Sequence, residues 1–253
     1  MARAGGTRAA KAPARASHEG PIDARVRLAL DRLKRKSSKA DRDGLARYAI
    51  PSDRAFGVAM KDVQALAREL GRDHALALAL WDTGWYEARL LCAYVDEPAR
   101  VTPAQMDRWC RGFANWALCD TLCFSLFDRV PHAWRKVEAW SKRRPEFEKR
   151  AAFALLASLA LHDRDTDDAA FLRCLPLIES AAGDERNFVK KSVSWALRSI
   201  GGRNAALNAA ATALARRLAA SEQPATRSTG KEVLRELAKP AARKRLERSA
   251  RSL

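Results

Sequence analysis

Apolar residues recur along this chain at intervals of three and four, the repeat that aligns side chains on one face of an α-helix. Ile22, Val26, Leu30 and Leu33 mark a first helix, opened by Pro21. A short helix over 41–48 and a loop over 51–57 follow. Val63, Leu66 and Leu70 place a helix over 61–70, which Gly71 stops. Helices over 74–81 and 85–95 come next, separated by a break at Thr83-Gly84. Thr102-Pro103-Ala104-Gln105 reads as a capping box with proline at the first helical position, and its helix runs to about Phe113.

The pattern continues over 115–127, then from Pro131 to about Arg143 and from Pro145 to about His162. Asp167 or Asp168 caps another helix, with Pro176 inside it as a kink. Asp184 caps a helix over 185–200 that Gly201-Gly202 terminates, and helices over 203–220 and 229–238 close the body. No segment carries the alternating pattern of a strand.

The helices fall in pairs. The second member of each pair starts near residues 84, 115, 145 and 185, steps of about 30 to 40 residues. That is the period of helix-pair solenoids, so the expected fold is all-α: a HEAT-like repeat α-solenoid of antiparallel helix pairs. In such a solenoid the second helices line the concave face. Domain boundaries follow: a basic arm over 1–20, a helical repeat domain over 21–238 and a basic tail over 239–253.

Composition agrees. Gly and Pro are few, at 12 and 10 of 253 residues, and Ala, Leu and Arg dominate. The formal net charge is +17, of which residues 1–20 carry +3, residues 239–253 carry +5 and the body +9. The folded part thus has its own basic excess. It fits a polyanionic partner, or simply an arginine-rich solvated surface. Five cysteines, none in CxxC spacing, read as buried thiols in a reducing cytosol rather than a zinc or disulfide set. The longest apolar run, over 151–161, is too short for a membrane span and reads as a buried helix. The N-terminus has no signal-peptide core.

Candidate chemistry sits on the second helices. The first carries Trp85, Glu87 and Arg89; the next carries Trp116 and Asp120, one turn apart in Asn115–Asp120 (NWALCD). The third carries Lys149 and Arg150. The fourth carries Asn187, Lys191, Trp195 and Arg198 at spacings of four, four and three, a basic stripe with an indole in its middle. Trp109, Trp134 and Trp140 are expected in the core. Taken singly, Trp116 and Trp195 fit core packing, Asp120 an ion pair and Arg150 a solvated face. Their common register favours one surface.

Ordered segments carry a resemblance: RYAIPSDRAFGV, WYEARLL, NWALCD, FEKRAAFALL and DERNFVKKSVSWALR, spanning about residues 45 to 200. Together they resemble the bacterial alkylpurine DNA glycosylases of the AlkD type, the DNA alkylation-repair family built of HEAT-like repeats. The resemblance implies excision of cationic N3- and N7-alkylated purines from double-stranded DNA in base excision repair, with the lesion left stacked rather than flipped. It implies that Trp116 and Trp195 contact the lesion's deoxyribose, that Asp120 is the catalytic carboxylate, and that Arg150 meets the backbone near the lesion. Tyr48, nine residues before Gly57, resembles an aromatic that helps hold DNA. Lys149, Lys191 and Arg198 complete the expected DNA-binding set. No metal or organic cofactor is expected; a monomer, cytoplasmic and nucleoid-associated when bound, is. The arm, the tail and the loosely matching TRSTGKEVLREL fall outside the family pattern. Some relatives lack the carboxylate and only bind, so a non-catalytic reader of damaged or branched DNA stays open, as does a protein-interaction solenoid.

Overall fold

A computed structural model of the chain describes residues 22–242. The expected arm, Pro21 and most of the basic tail lie outside the described residues. Among the described residues there is no strand. The chain begins with α1 (Ile22–Arg35), α2 (Lys39–Gly44), α3 (Met60–Leu70), α4 (His74–Asp82) and α5 (Tyr86–Val95). It continues through α6 (Pro103–Arg111), α7 (Trp116–Ser125), α8 (Ala133–Ser141) and α9 (Glu146–His162). It closes with α10 (Asp168–Ala181), α11 (Asn187–Gly201), α12 (Ala205–Ala219) and α13 (Pro224–Leu237).

The helices form two rows. α3, α5, α7, α9, α11 and α13 pack each on the next, while α4, α8, α10 and α12 back α5, α9, α11 and α13. This alternation is the paired solenoid expected from the period. α9 is the keystone: it touches α6, α7, α8 and α11, so Ala151 to Ala160 are buried around its whole circumference. That explains an apolar run without a polar face. Trp109 and Trp140 are fully buried, Trp81 stacks on Trp109 at 4.5 Å, and Trp134 is half-buried. Truncating either buried indole should cost about 3–5 kcal/mol. All five cysteines are buried free thiols, and burial pushes Cys174 up to about 11.

Several boundaries differ from the sequence pattern for local reasons. The short second helix ends at Gly44, and a 3₁₀ turn, Leu45–Tyr48, finishes the segment. Thr102 accepts from the Gln105 N–H at 3.1 Å, but the Gln105 side chain donates to buried Asp96 at 2.6 Å instead of reaching back. Only half of a capping box forms. α8 starts at Ala133 rather than Pro131, with His132 as its cap. Asp184 does not cap α11; it binds Arg186 by backbone and side chain, and the helix starts two residues later than expected.

α13 starts at Pro224, five residues before the expected Thr229, because its first turns carry threonines and no apolar stripe. Thr226 and Thr229 are buried there. Gly230 lets α13 touch α12 backbone to backbone, since a Cβ would lie 2.3 Å from the Ala219 nitrogen. Gly57 sits at φ 78°, and a Cβ there would lie 2.4 Å from the Ser38 carbonyl oxygen.

Candidate nucleic-acid interface

The inner row opens into a cavity of about 690 Å³, reached by α7, α9, α11, α13 and the turn at Arg47, Tyr48 and Ala49. Its construction starts at Asn115. The Asn115 side chain accepts from the Leu118 N–H at 2.9 Å, which caps α7 and sets Trp116 at its first position. Asp120 lies one turn on and Phe124 a further turn on, so a ring, an acid and a ring share one face. The Trp116 indole N–H donates to the Tyr48 carbonyl at 2.8 Å, tying the N-terminal turn to the site. Tyr48 itself is exposed, and Ala49 ends its turn in the left-handed region at φ 54°.

From α9, Arg150 clasps Asp120 with both forks: Nε to Oδ1 at 2.9 Å and Nη2 to Oδ2 at 2.6 Å. Its Nη1 donates to the Phe188 carbonyl at 2.7 Å, which bolts α11 to the pair. The Arg150 side chain is 6% exposed and that of Asp120 16%. Burial pushes the Asp120 carboxyl above its usual range, and the Arg150 bonds oppose that rise. The same bonds outweigh burial at Arg150 and raise it further. The pair is therefore a guanidinium on a carboxylate whose ionisation depends on its partner.

From α11, Lys191, Trp195 and Arg198 reach the cavity, with Asn187 at its edge. Trp195 is stacked flat on Phe124, centroids 4.7 Å apart at 7°, so its plane is set from α7. Trp116 and Trp195 thus line one hollow with Asp120 rather than filling separate cores.

Other expected groove residues are placed elsewhere. Lys149 does not line the cavity: one residue from Arg150 is about 100° around the helix, and its ammonium meets Asp184 at 3.2 Å. Arg186, and then Lys149, hold the Asp184 carboxyl down to about 2. Arg150 lines the hollow, but three of its donors already serve Asp120 and Phe188. The first groove helix contributes nothing. Glu87 is buried and accepts from the Phe56, Gly57 and Val58 N–H groups at 2.9, 2.8 and 3.2 Å. Trp85 stacks on Phe56 at 4.2 Å, and Arg89 lies over Trp81 at 4.8 Å. Sequence reasoning missed Arg47, Phe188 and Glu232, all of which line the hollow, and Phe124 behind it. Phe124 could have been found by extending the Trp116–Asp120 spacing one more turn.

A helical-repeat scaffold whose inner row carries a hollow lined by aromatic and basic side chains is the class this arrangement defines. A solved structure, described as a new family of proteins related to the HEAT-like repeat DNA glycosylases with affinity for branched DNA structures, shares the fold. It aligns with a TM-score of 0.70 at 17% identity, covering 87% of this chain and 95% of its own. Residues 29–246 match the family described as DNA alkylation repair enzyme, and the chain belongs to that family. No curated protein matches the chain in sequence. Among the described residues, no helix is long and apolar enough to cross a membrane, and no group of three or more His, Cys, Asp and Glu could hold a metal ion.

Proposed function

We propose that this protein is a DNA glycosylase that hydrolyses the N-glycosidic bond of cationic N3- and N7-alkylated purines in duplex DNA. One observation carries the reading: Asp120 lines, with Trp116 and Trp195, a cavity that also holds Lys191 and Arg198. An alkylated purine with a positive ring is already a good leaving group. As its C1′–N bond breaks, the bonding pair returns to the purine and discharges it, while the sugar gains oxocarbenium character. Asp120 stabilises that sugar cation and orients the water whose oxygen bonds to C1′; the water's proton passes to solvent. The faces of Trp116 and Trp195 add attraction for the cation and exclude other water.

At about 4 Å and an effective dielectric near 20, a charge pair is worth roughly 4 kcal/mol. That is about a thousandfold in rate, enough for a labile bond without a strong general acid. An open hollow between inner helices suits a lesion that stays stacked and is approached from its backbone side. Lys191 and Arg198, with Tyr48 and Arg47 across the mouth, would take the phosphates. The reading places a monomer in base excision repair, in the cytoplasm and on the nucleoid.

A second reading has its own support. Asp120 is closed on Arg150 by two bonds, and the structural neighbour is described by affinity for branched DNA. A protein of that kind would bind duplexes or junctions without releasing base. Base release from methylated DNA separates the two. Asp120→Asn should slow release of 7-methylguanine or 3-methyladenine roughly a thousandfold while duplex affinity changes little. Equal release by wild type and variant would remove Asp120 from the chemistry. No release by either, with junction binding intact, would establish the second reading.

A further inference from the structure

The cavity contains a second carboxylate, Glu232, delivered by α13. Its setting differs from that of Asp120. Asp120 is met by a guanidinium on both oxygens, whereas Glu232 has no ion-pair partner among the described residues. Among the described residues, its oxygen Oε1 accepts only from the Ser194 hydroxyl, at 2.9 Å. Ser194 is itself buried in α11, so the bond fixes where the carboxylate stands without neutralising it.

Arg198 lines the same hollow but does not pair with Glu232. Its Nε is buried without an acceptor, and its charge acts on Glu236, one turn further along α13, helping Lys239 to hold that carboxyl below its usual range. Among the described residues, the carboxylate of the hollow that no cation pairs with directly is therefore Glu232. A surface that only needs phosphates gains nothing from such a charge, because every approaching phosphate is repelled. A nucleotide carrying a positive base is attracted instead.

We propose that Glu232 is the specificity-determining charge of the site: it favours a cationic nucleotide over neutral DNA and weakens the hold on undamaged duplex. This rests on the cationic-lesion reading of the cavity. Ser194 is its positioning residue. Because the interaction crosses a partly wet hollow, the expected effect is modest, about three- to tenfold at low salt.

The test measures affinity for three otherwise identical duplexes. One carries 7-methylguanine, one its neutral isostere 7-deaza-7-methylguanine, and one plain guanine. Wild type should bind the first more tightly than the second, and that ratio should shrink as salt rises. Glu232→Gln keeps an acceptor for Ser194 and removes the charge. It should lose about three- to tenfold of the charge ratio while binding plain duplex more tightly. Glu232→Asp, which restores the charge, should recover part of the ratio.

A Glu232→Gln ratio equal to that of wild type overturns the proposal, as does a wild-type ratio insensitive to salt. The salt series needs no variant, so a flat ratio overturns the proposal even if Glu232→Gln folds poorly. Glu232→Asp, keeping the charge, assigns a salt-sensitive ratio to this position rather than to Asp120. Base release is read on the same duplexes. A charge ratio that vanishes in Glu232→Gln although wild type releases no base would sink the glycosylase reading and leave this one standing.

Discussion

Glu87 on α5 and Asp120 on α7 invite comparison. Each is an acid on an inner helix, within one turn of a tryptophan, one repeat from the other. Glu87 is taken up by three backbone N–H groups of the loop around Gly57 and has no route to solvent. Asp120 is taken up by one guanidinium and keeps a face on the hollow. Neutral backbone donors make an acid part of the scaffold. A single charged partner beside an opening leaves it able to respond to a ligand. Residue type and helical register do not separate these cases; what the carboxylate oxygens accept from does.

Glu87→Ala tests the scaffold half of that contrast and should show the larger stability loss of the two acids. Three N–H groups lose their acceptor, one of them on buried Gly57, so stability should fall by about 3 kcal/mol in a denaturant titration. Base release per folded molecule should stay within about twofold of wild type. A loss of release as deep as that expected for Asp120→Asn would mean that the two acids are not divided as described.

Arg150→Met tests the responsive half. Burial raises the Asp120 carboxyl and Arg150 opposes the rise, so losing the guanidinium should move it further up. The proposed mechanism uses ionised Asp120, so the acid limb of the release profile should shift to higher pH. Stability follows the same sign. A carboxyl raised in the folded state favours folding when protonated, and that advantage fades as pH climbs from the unfolded value through the folded one. Arg150→Met should therefore be least destabilised, relative to wild type, in acid. An acid limb that does not move would show that Arg150 does not govern Asp120.

The repeat period was legible because each pair keeps its apolar stripe, and α9 was legible as a buried helix from its unbroken run. That three of the singled-out residues share one hollow was legible too. Trp116 and Asp120 on α7 and Trp195 on α11 lie in register on the inner row, and all three line one hollow. The first groove helix was not: the pull of the Phe56–Val58 loop on Glu87 is a contact 29 to 31 residues away that no local pattern encodes. Glu232 escaped for a related reason. The start of α13 is threonine-rich and lacks the stripe that would have assigned its faces.

Lys191 and Lys149 carry the comparison to its smallest scale. Both were expected on DNA. Lys191 is exposed on the rim of the hollow, and Lys149 is held to Asp184 outside it. A lysine that meets phosphate releases counterions, so Lys191→Ala should weaken duplex binding about three- to tenfold and reduce the salt slope by about 1. Lys149→Ala should change neither. Its effect belongs to Asp184, whose carboxyl lies near 2 and should rise part of the way back, Arg186 still being present. That depressed carboxyl stabilises the fold above its ordinary range, and the contribution is lost as pH falls toward 2. Lys149→Ala should thus unfold at slightly higher pH in an acid titration while binding DNA as wild type does. Equal losses of salt slope in the two variants would place both lysines on the duplex, and the boundary of the interface would move out to Asp184.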